Sequence, residues 1–237
     1  MGLVDWKLEG HVAVITWNNG ENRFNPDFLK ANLDALDAIE NTTAATALMV
    51  TSAHEKIWSN GLDLDWLMPV VQAGDKETSM DFFFRLNEVF KRFLMFPGLT
   101  LASINGHVFA GGAILACAFD FRFMRTDRGF FCFPEVDISI PFLPGMLALM
   151  RKALPGHSLV DMALTGKRMT AKECLEAGVV QAGFEKDRIY DESLAWIKTH
   201  NKGRKIVAAI KKELYKEVVR IIDEEDPPVI RSGRLNV

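Results

Sequence analysis

The sequence predicts an α/β domain that ends in helices. Three observations carry this expectation. Short apolar, β-branched runs alternate with segments of helical spacing; Gly, Pro and Asn punctuate the junctions; and past Pro144 the spacing becomes mostly helical. With 237 residues, 49% of them apolar and 25% charged, the chain can bury a sizeable core. Seventeen Phe against two Tyr point to aromatic packing or an apolar pocket.

In chain order, residues 12–17 form a β-branched run suited to a buried strand. Asn25-Pro26 opens a helix as N-cap and first helical residue, and Leu29, Leu33, Leu36 and Ile39 give that helix one apolar face. A second strand is expected over 47–51, then a loop to Gly61, then a helix over 79–96 stopped by Pro97. Residues 100–104 read as a third strand turning at Asn105-Gly106, 111–119 as a helix, 121–124 as a fourth strand and 129–133 as extended chain. Thr170 and Gly178 bracket a short helix as N-cap and C′ residue. A long amphipathic helix is expected over 202–223, with Ile206, Ile210, Leu214 and Val218 on one face. Asp226-Pro227-Pro228 should end it and leave a mobile tail. The division is a core over residues 1–185 and a helical region over 186–237.

Several functions are excluded by composition and spacing. A net charge of −3 gives no reason to expect nucleic acid or an anionic membrane. Residues 93–119 lack charge and are long enough to span a bilayer, but Pro97-Gly98, Asn105-Gly106-His107 and Gly111-Gly112 break them into strand, turn and helix. The N-terminus has no secretory pattern and carries Trp6 where myristoylation wants Ser or Thr. Leu235-Asn236-Val237 is no peroxisomal address, and three scattered cysteines form no CxxC pair, so a cytoplasmic, reducing setting is expected. Five histidines show no metal spacing, no GxGxxG follows a strand, and the Gly106–Gly112 stretch lacks the Lys and Ser/Thr of a phosphate loop. No metal is expected.

Two glycine turns and one carboxylate remain. Ser59-Asn60-Gly61-Leu62-Asp63-Leu64 follows the second strand, and Asn105-Gly106 through Gly111-Gly112 leads from the third strand into a helix. Such turns leave backbone N–H groups free to face a ligand, the second aided by a helix N-terminus. Glu135 follows Phe130, Phe131, Phe133 and Pro134; desolvation there would raise its pKa toward the range useful for proton transfer. Local sequence alone leaves a solvent-facing strand-end glutamate equally open.

In order and spacing, these segments resemble the crotonase (enoyl-CoA hydratase/isomerase) superfamily. Residues 59–63 match its first oxyanion loop, 105–112 its Asn-Gly-x-x-x-(Gly/Ala)-Gly-Gly segment, 133–138 its acid-bearing segment, and 22–26 its approach to the first helix. The resemblance implies a spiral of ββα units, assembled as a homotrimer or hexamer, acting on an acyl-CoA thioester. It needs no cofactor beyond the coenzyme A of the substrate. It assigns Glu135 as acid/base and the N–H groups of Leu62 and Gly111 as the oxyanion hole. Arg23, Asn60, Gly61, Asp63, Leu64, Asp65 and Gly112 are expected to contact substrate.

One departure sorts the chemistry. Hydratases of the family use a second glutamate three residues after Gly111, and this chain has Ile114 there. Isoleucine neither orients water nor exchanges a proton. A single carboxylate suffices for a 1,3-proton shift, the pattern of Δ3,Δ2-enoyl-CoA isomerases. Hydration or other crotonase chemistry, and a non-catalytic acyl-CoA-binding subunit, are the rival expectations.

Overall fold

A computed structural model describes residues 2–233. Strand β1 (Val4–Glu9) turns at Gly10 and pairs antiparallel with β2 (Val12–Trp17). Helix α1 (Pro26–Thr42) follows, with the Asn25 side chain accepting a hydrogen bond from Phe28 N at 3.0 Å. The chain then repeats one pattern three times. Strands β3 (Ala47–Ser52) and β4 (Ile57–Ser59) precede α2 (Leu64–Gln72) and α3 (Lys76–Leu94). Strands β5 (Leu99–Ile104) and β6 (His107–Phe109) precede α4 (Gly111–Ala118). Strands β7 (Phe121–Arg125) and β8 (Phe131–Cys132) precede a 3₁₀ turn (Pro134–Val136) and α5 (Pro144–Ala153).

The first strand of each pair joins a six-stranded sheet, ordered β1-β2-β3-β5-β7-β9, where β9 is Ala182–Phe184; the second joins a parallel three-stranded sheet, β4-β6-β8. Every pairing beyond β1-β2 in the large sheet is parallel. This is the expected spiral of ββα units.

Parallel strands are covered on both faces, which is why β2 and β3 read as continuous apolar runs. Ala13, Ile15, Leu48, Val50 and Ala102 face the main core, whereas Val12, Val14, Met49 and Leu101 meet Ile189 and Ile197 of α8 (Lys186–Lys198). In the main core Trp17, Phe28, Trp58, Phe93 and Phe119 pack ring against ring, and Trp17 Nε1 donates to Asn32 Oδ1 at 2.7 Å. Between α5 and α8 lie α6 (Gly156–Thr165) and α7 (Ala171–Glu176), the latter with a reciprocal Thr170–Glu173 capping box. Residues 93–119 are divided among α3, β5, β6 and α4, and no described helix is long and apolar enough to cross a membrane.

The C-terminal region corrects the expectation of one long helix. It is built as α9 (Arg204–Leu214), α10 (Lys216–Arg220), a π turn (Ile221–Glu225) and α11 (Asp226–Ser232). The break falls at Tyr215, whose hydroxyl donates to Asp120 at 2.8 Å while Lys211 pairs with the same carboxylate at 2.7 Å. Asp226-Pro227-Pro228 stands at the start of α11, in helical backbone continuous with the π turn, instead of ending a helix; π turns of this kind accommodate an interrupted hydrogen-bond ladder. The expected mobile tail is therefore helical to Ser232, and Leu235-Asn236-Val237 lie outside the described residues. Of the four residues on the expected apolar face, only Val218 is buried; Ile206, Ile210 and Leu214 are exposed.

Candidate active site

The three segments singled out in the sequence leave the same edge of the small parallel sheet. Asn60 to Leu62 follow β4, Ala110 and Gly111 follow β6, and Pro134 and Glu135 follow β8. Parallel neighbours lie ~4.8 Å apart, so sequence segments separated by dozens of residues end side by side. The row is extended at one end by a bridge between Phe24 and Leu62, and at the other by a bridge between Phe131 and Met169.

Over this edge lies a cavity of about 420 Å³. Arg23, Asn60, Leu62, Leu64, Asp65, Gly111 and Glu135 line it, as does Ile114. Gly61, Asp63 and Gly112 stand behind the lining. Gly61 has φ +74° and lies so close to the second turn that a Cβ there would sit 2.5 Å from Gly111 N. Gly112 packs on Ser59, where a Cβ would come within 2.7 Å. Asp63 is the N-cap residue of α2 and accepts a hydrogen bond from Asn25 Nδ2 at 3.1 Å.

Two lining residues, Leu62 and Gly111, have backbone N–H groups that local pairing leaves without a backbone acceptor. Phe24 N donates to Gly61 O at 2.7 Å and Asp63 N to Phe24 O at 3.0 Å. A parallel bridge of this form turns the N–H of its middle residue, Leu62, away from Phe24. Gly111 is the first residue of α4, where an N–H has no intrahelical acceptor and the helix dipole is positive. The turn before it is strained: Ala110 has φ +50°, ψ −130°, a region non-glycine residues rarely occupy. Hydrogen bonds from Ala110 N to Cys132 O (3.1 Å) and from Ile114 N to Ala110 O (3.0 Å) hold it there.

Glu135 sits in the 3₁₀ turn, only 6% exposed. Its Oε2 has no hydrogen-bond partner among the described residues. Burial pushes its pKa from 4.5 up to about 7, opposed only by a backbone hydrogen bond. Near it the lining is apolar: Phe109, Ile114, Ile138, Ile140 and Pro141. The other lining carboxylate, Asp65, is exposed and pairs with Arg23 at 2.8 Å. Arg23 also pairs with Glu21 at 2.7 Å, and hydrogen bonding to Glu21 raises its pKa.

Phe83, Phe109, Cys132, Ile138, Ile140, Pro141, Met146 and Arg168 also line the cavity and were not expected; Ala110 and Pro134, inside the recognised segments, complete it. Phe109 and Ile138 lie within the recognised segments and Cys132 and Ile140 flank them, so these were within reach of the sequence. Phe83, Met146 and Arg168 come from α3, α5 and the loop before α7, which only the fold brings together. Among the described residues no group of three or more His, Cys, Asp or Glu is placed to hold a metal ion.

Comparison with known proteins agrees with this geometry. A family model described as enoyl-CoA hydratase/isomerase matches residues 7–224. An enoyl-CoA delta isomerase of Arabidopsis thaliana, named isomerase 2, peroxisomal, is 31% identical over 221 residues, covering 87% of this chain and 89% of its own. A carnitinyl-CoA dehydratase of Salmonella arizonae is 32% identical over 187 residues, covering 79% and 69%. The crystal structure of a probable enoyl-CoA hydratase from Mycobacterium tuberculosis H37Rv superposes with a TM-score of 0.88 at 19% identity, covering 97% of this chain and 95% of that one. With a family model spanning nearly its whole length, two glycine turns on one sheet edge and a buried glutamate beside them, the chain belongs to the enoyl-CoA hydratase/isomerase family of the crotonase superfamily.

Proposed function

We propose that the protein converts 3-enoyl-CoA to trans-2-enoyl-CoA by a 1,3-proton shift. The observation that carries this reading is the pairing of a single buried carboxylate, Glu135, with Ile114 in the same cavity. The N–H groups of Leu62 and Gly111 hold the thioester oxygen. Glu135 removes a proton from C2, and the electrons pass into a dienolate whose oxygen carries the charge. Protonated Glu135 returns the proton at C4, leaving the double bond between C2 and C3. A pKa near 7 suits a group that must take and return a proton near neutral pH. The apolar wall keeps water from the dienolate.

The nucleotide end of coenzyme A lies along Asn60, Leu64 and Asp65 in this reading, with Arg23, paired to Asp65, as the cation beside them. An incoming phosphate meets an arginine already held between two carboxylates, so Arg23 changes partner on binding. Substrate brings its own coenzyme A, and no other cofactor takes part. The assembly is a homotrimer or hexamer in a reducing, cytoplasmic setting.

Hydration is the competing reading, favoured by the dehydratase among the relatives and opposed by Ile114. One assay separates the two, with 3-enoyl-CoA and 2-enoyl-CoA offered separately and the conjugated thioester absorbance followed. The expected result is a rise with the first and little change with the second. Glu135→Gln should lower isomerisation by ~10²–10⁴-fold with acyl-CoA affinity nearly unchanged. Faster hydration of 2-enoyl-CoA than isomerisation of 3-enoyl-CoA would overturn the reading; neither activity, with Glu135→Gln indistinguishable from wild type, would leave a binding subunit.

A further inference from the structure

Helix α4 starts at Gly111 and ends at Ala118, a length of about 12 Å. Its last carbonyls form the negative end of the helix dipole, on buried residues of a helix packed against α5. Two cations meet them there. Lys152 of α5 places Nζ at 3.2 Å from Cys117 O, 3.2 Å from Ala118 O and 2.6 Å from Phe119 O. Arg122 Nη1 donates to Phe119 O at 3.1 Å, while its other nitrogens donate to Val179 O and Ala153 O.

Neither cation has a carboxylate partner among the described residues. The neighbouring Asp120 pairs with Lys211 and accepts hydrogen bonds from Tyr215 and Thr100. An ammonium has three hydrogens, and Lys152 has three carbonyls to receive them. Burial pulls the Lys152 pKa down, to about 7, and the nearby Arg122 and Lys211 lower it further, while the Asp120 carboxylate favours the charged form.

The sign of this arrangement matters at the other end of the helix. An anion forming beside Gly111 N–H is attracted by the near, positive end of α4 and repelled by the far, negative end. Cations seated on the far end cancel the repulsion and leave the attraction. Capping alone would be served by a neutral donor, whose burial costs far less than that of a charge.

We infer that Lys152, with Arg122 beside it, is a positioning residue for the reaction: it fixes α4 and strengthens the field with which Gly111 N–H polarises the thioester carbonyl. This inference rests on the oxyanion role given above to Leu62 and Gly111.

The test uses the full-length protein with Lys152→Gln, which keeps two N–H donors but no charge, and Lys152→Arg, which keeps the charge. Two quantities are read, the kinetics with 3-enoyl-CoA and the infrared carbonyl stretch of bound, carbonyl-labelled butyryl-CoA, which has no double bond to move. Lys152→Gln should lose roughly three- to tenfold in kcat with KM changed less than twofold. Its carbonyl stretch should move back toward that of free butyryl-CoA, and Lys152→Arg should restore both. Should Lys152→Gln not fold, Arg122→Gln, which removes the other positive charge on this helix end, is read in the same two ways. A wild-type stretch that is shifted from free butyryl-CoA, yet unchanged in the folded Gln variant, overturns the role of Lys152 alone. A wild-type stretch equal to that of free butyryl-CoA sinks the oxyanion reading, and this inference with it.

Discussion

Glu135 is a residue whose burial outweighs every contact that favours its charge, and this ties activity and stability to the same titration. Its pKa is raised to about 7 in the folded protein from an ordinary 4.5. The base form populates as pH rises through about 7, so kcat/KM for isomerisation should climb over that range and level off above it. Stability should run the other way. A carboxyl group with a raised folded pKa contributes fully below about 4.5 and loses that contribution as pH rises to about 7, by roughly 3 kcal/mol. Glu135→Gln removes the ionisation. It should match wild type in urea melts at pH 4 and exceed it at pH 8; equal midpoints at both pH values would show that the carboxyl is solvated. The apolar neighbourhood behind this behaviour was legible, because Phe131, Phe133 and Pro134 adjoin Glu135 in sequence. The missing partner for Oε2 was not, since it depends on Phe109, Ile114 and Ile140 arriving from separate segments.

At the scale of elements, local signals that act within one turn could be read directly. Asn25-Pro26 caps α1 and Thr170 caps α7, each through its own side chain. Of the small sheet only β8 was read, within the extended chain over 129–133; β4 and β6 were not, because three residues carry no periodicity, and all three strands exist through their mutual pairing. Strand β1 mixes charge into its pattern, and α2 carries Pro69 within it, so both were missed. Asp226 shows how a tertiary contact overrode the expected helix end. Its carboxylate accepts from Gly145 N at 2.7 Å and Asn87 Nδ2 at 2.8 Å, tying α11 to α5 and α3. Burial pushes its pKa up to about 6 despite those bonds, so its contribution to stability falls as pH rises from about 3.8 to about 6. Asn87 Oδ1 has no partner among the described residues. In Asp226→Asn the new amide can donate to that oxygen once Asn87 turns over, while its own oxygen still accepts from Gly145 N. The expected outcome is a Tm at pH 8 raised by a few degrees, with the wild-type decline between pH 4 and pH 6 flattened. A lower Tm at pH 8 would show that the charged carboxylate is the better partner for Gly145 and Asn87.

At the scale of the whole molecule, the sequence identified an apolar face on the C-terminal helices but not what covers it. Ile206, Ile210 and Leu214 recur every four residues along α9 and are 59%, 56% and 66% exposed. Residues on the other side of α9 and at its ends keep this face from turning inward. Lys211 and Tyr215 are drawn to buried Asp120, and Arg204 donates to the carbonyls of Glu40 and Thr43, which together fix the rotation of α9. An apolar row held outward by buried polar contacts on its other side is a surface suited to another chain, and in this family the resemblance implies copies of the same chain. Light scattering at micromolar concentration should give three or six times 26.6 kDa. Ile210→Asp lies on the row and outside the core, so it should lower the mass to that of one chain, or strongly weaken assembly, while leaving far-ultraviolet circular dichroism unchanged. A wild-type mass of one chain contradicts the trimer and hexamer. An Ile210→Asp protein that keeps its assembled mass moves the interface off α9.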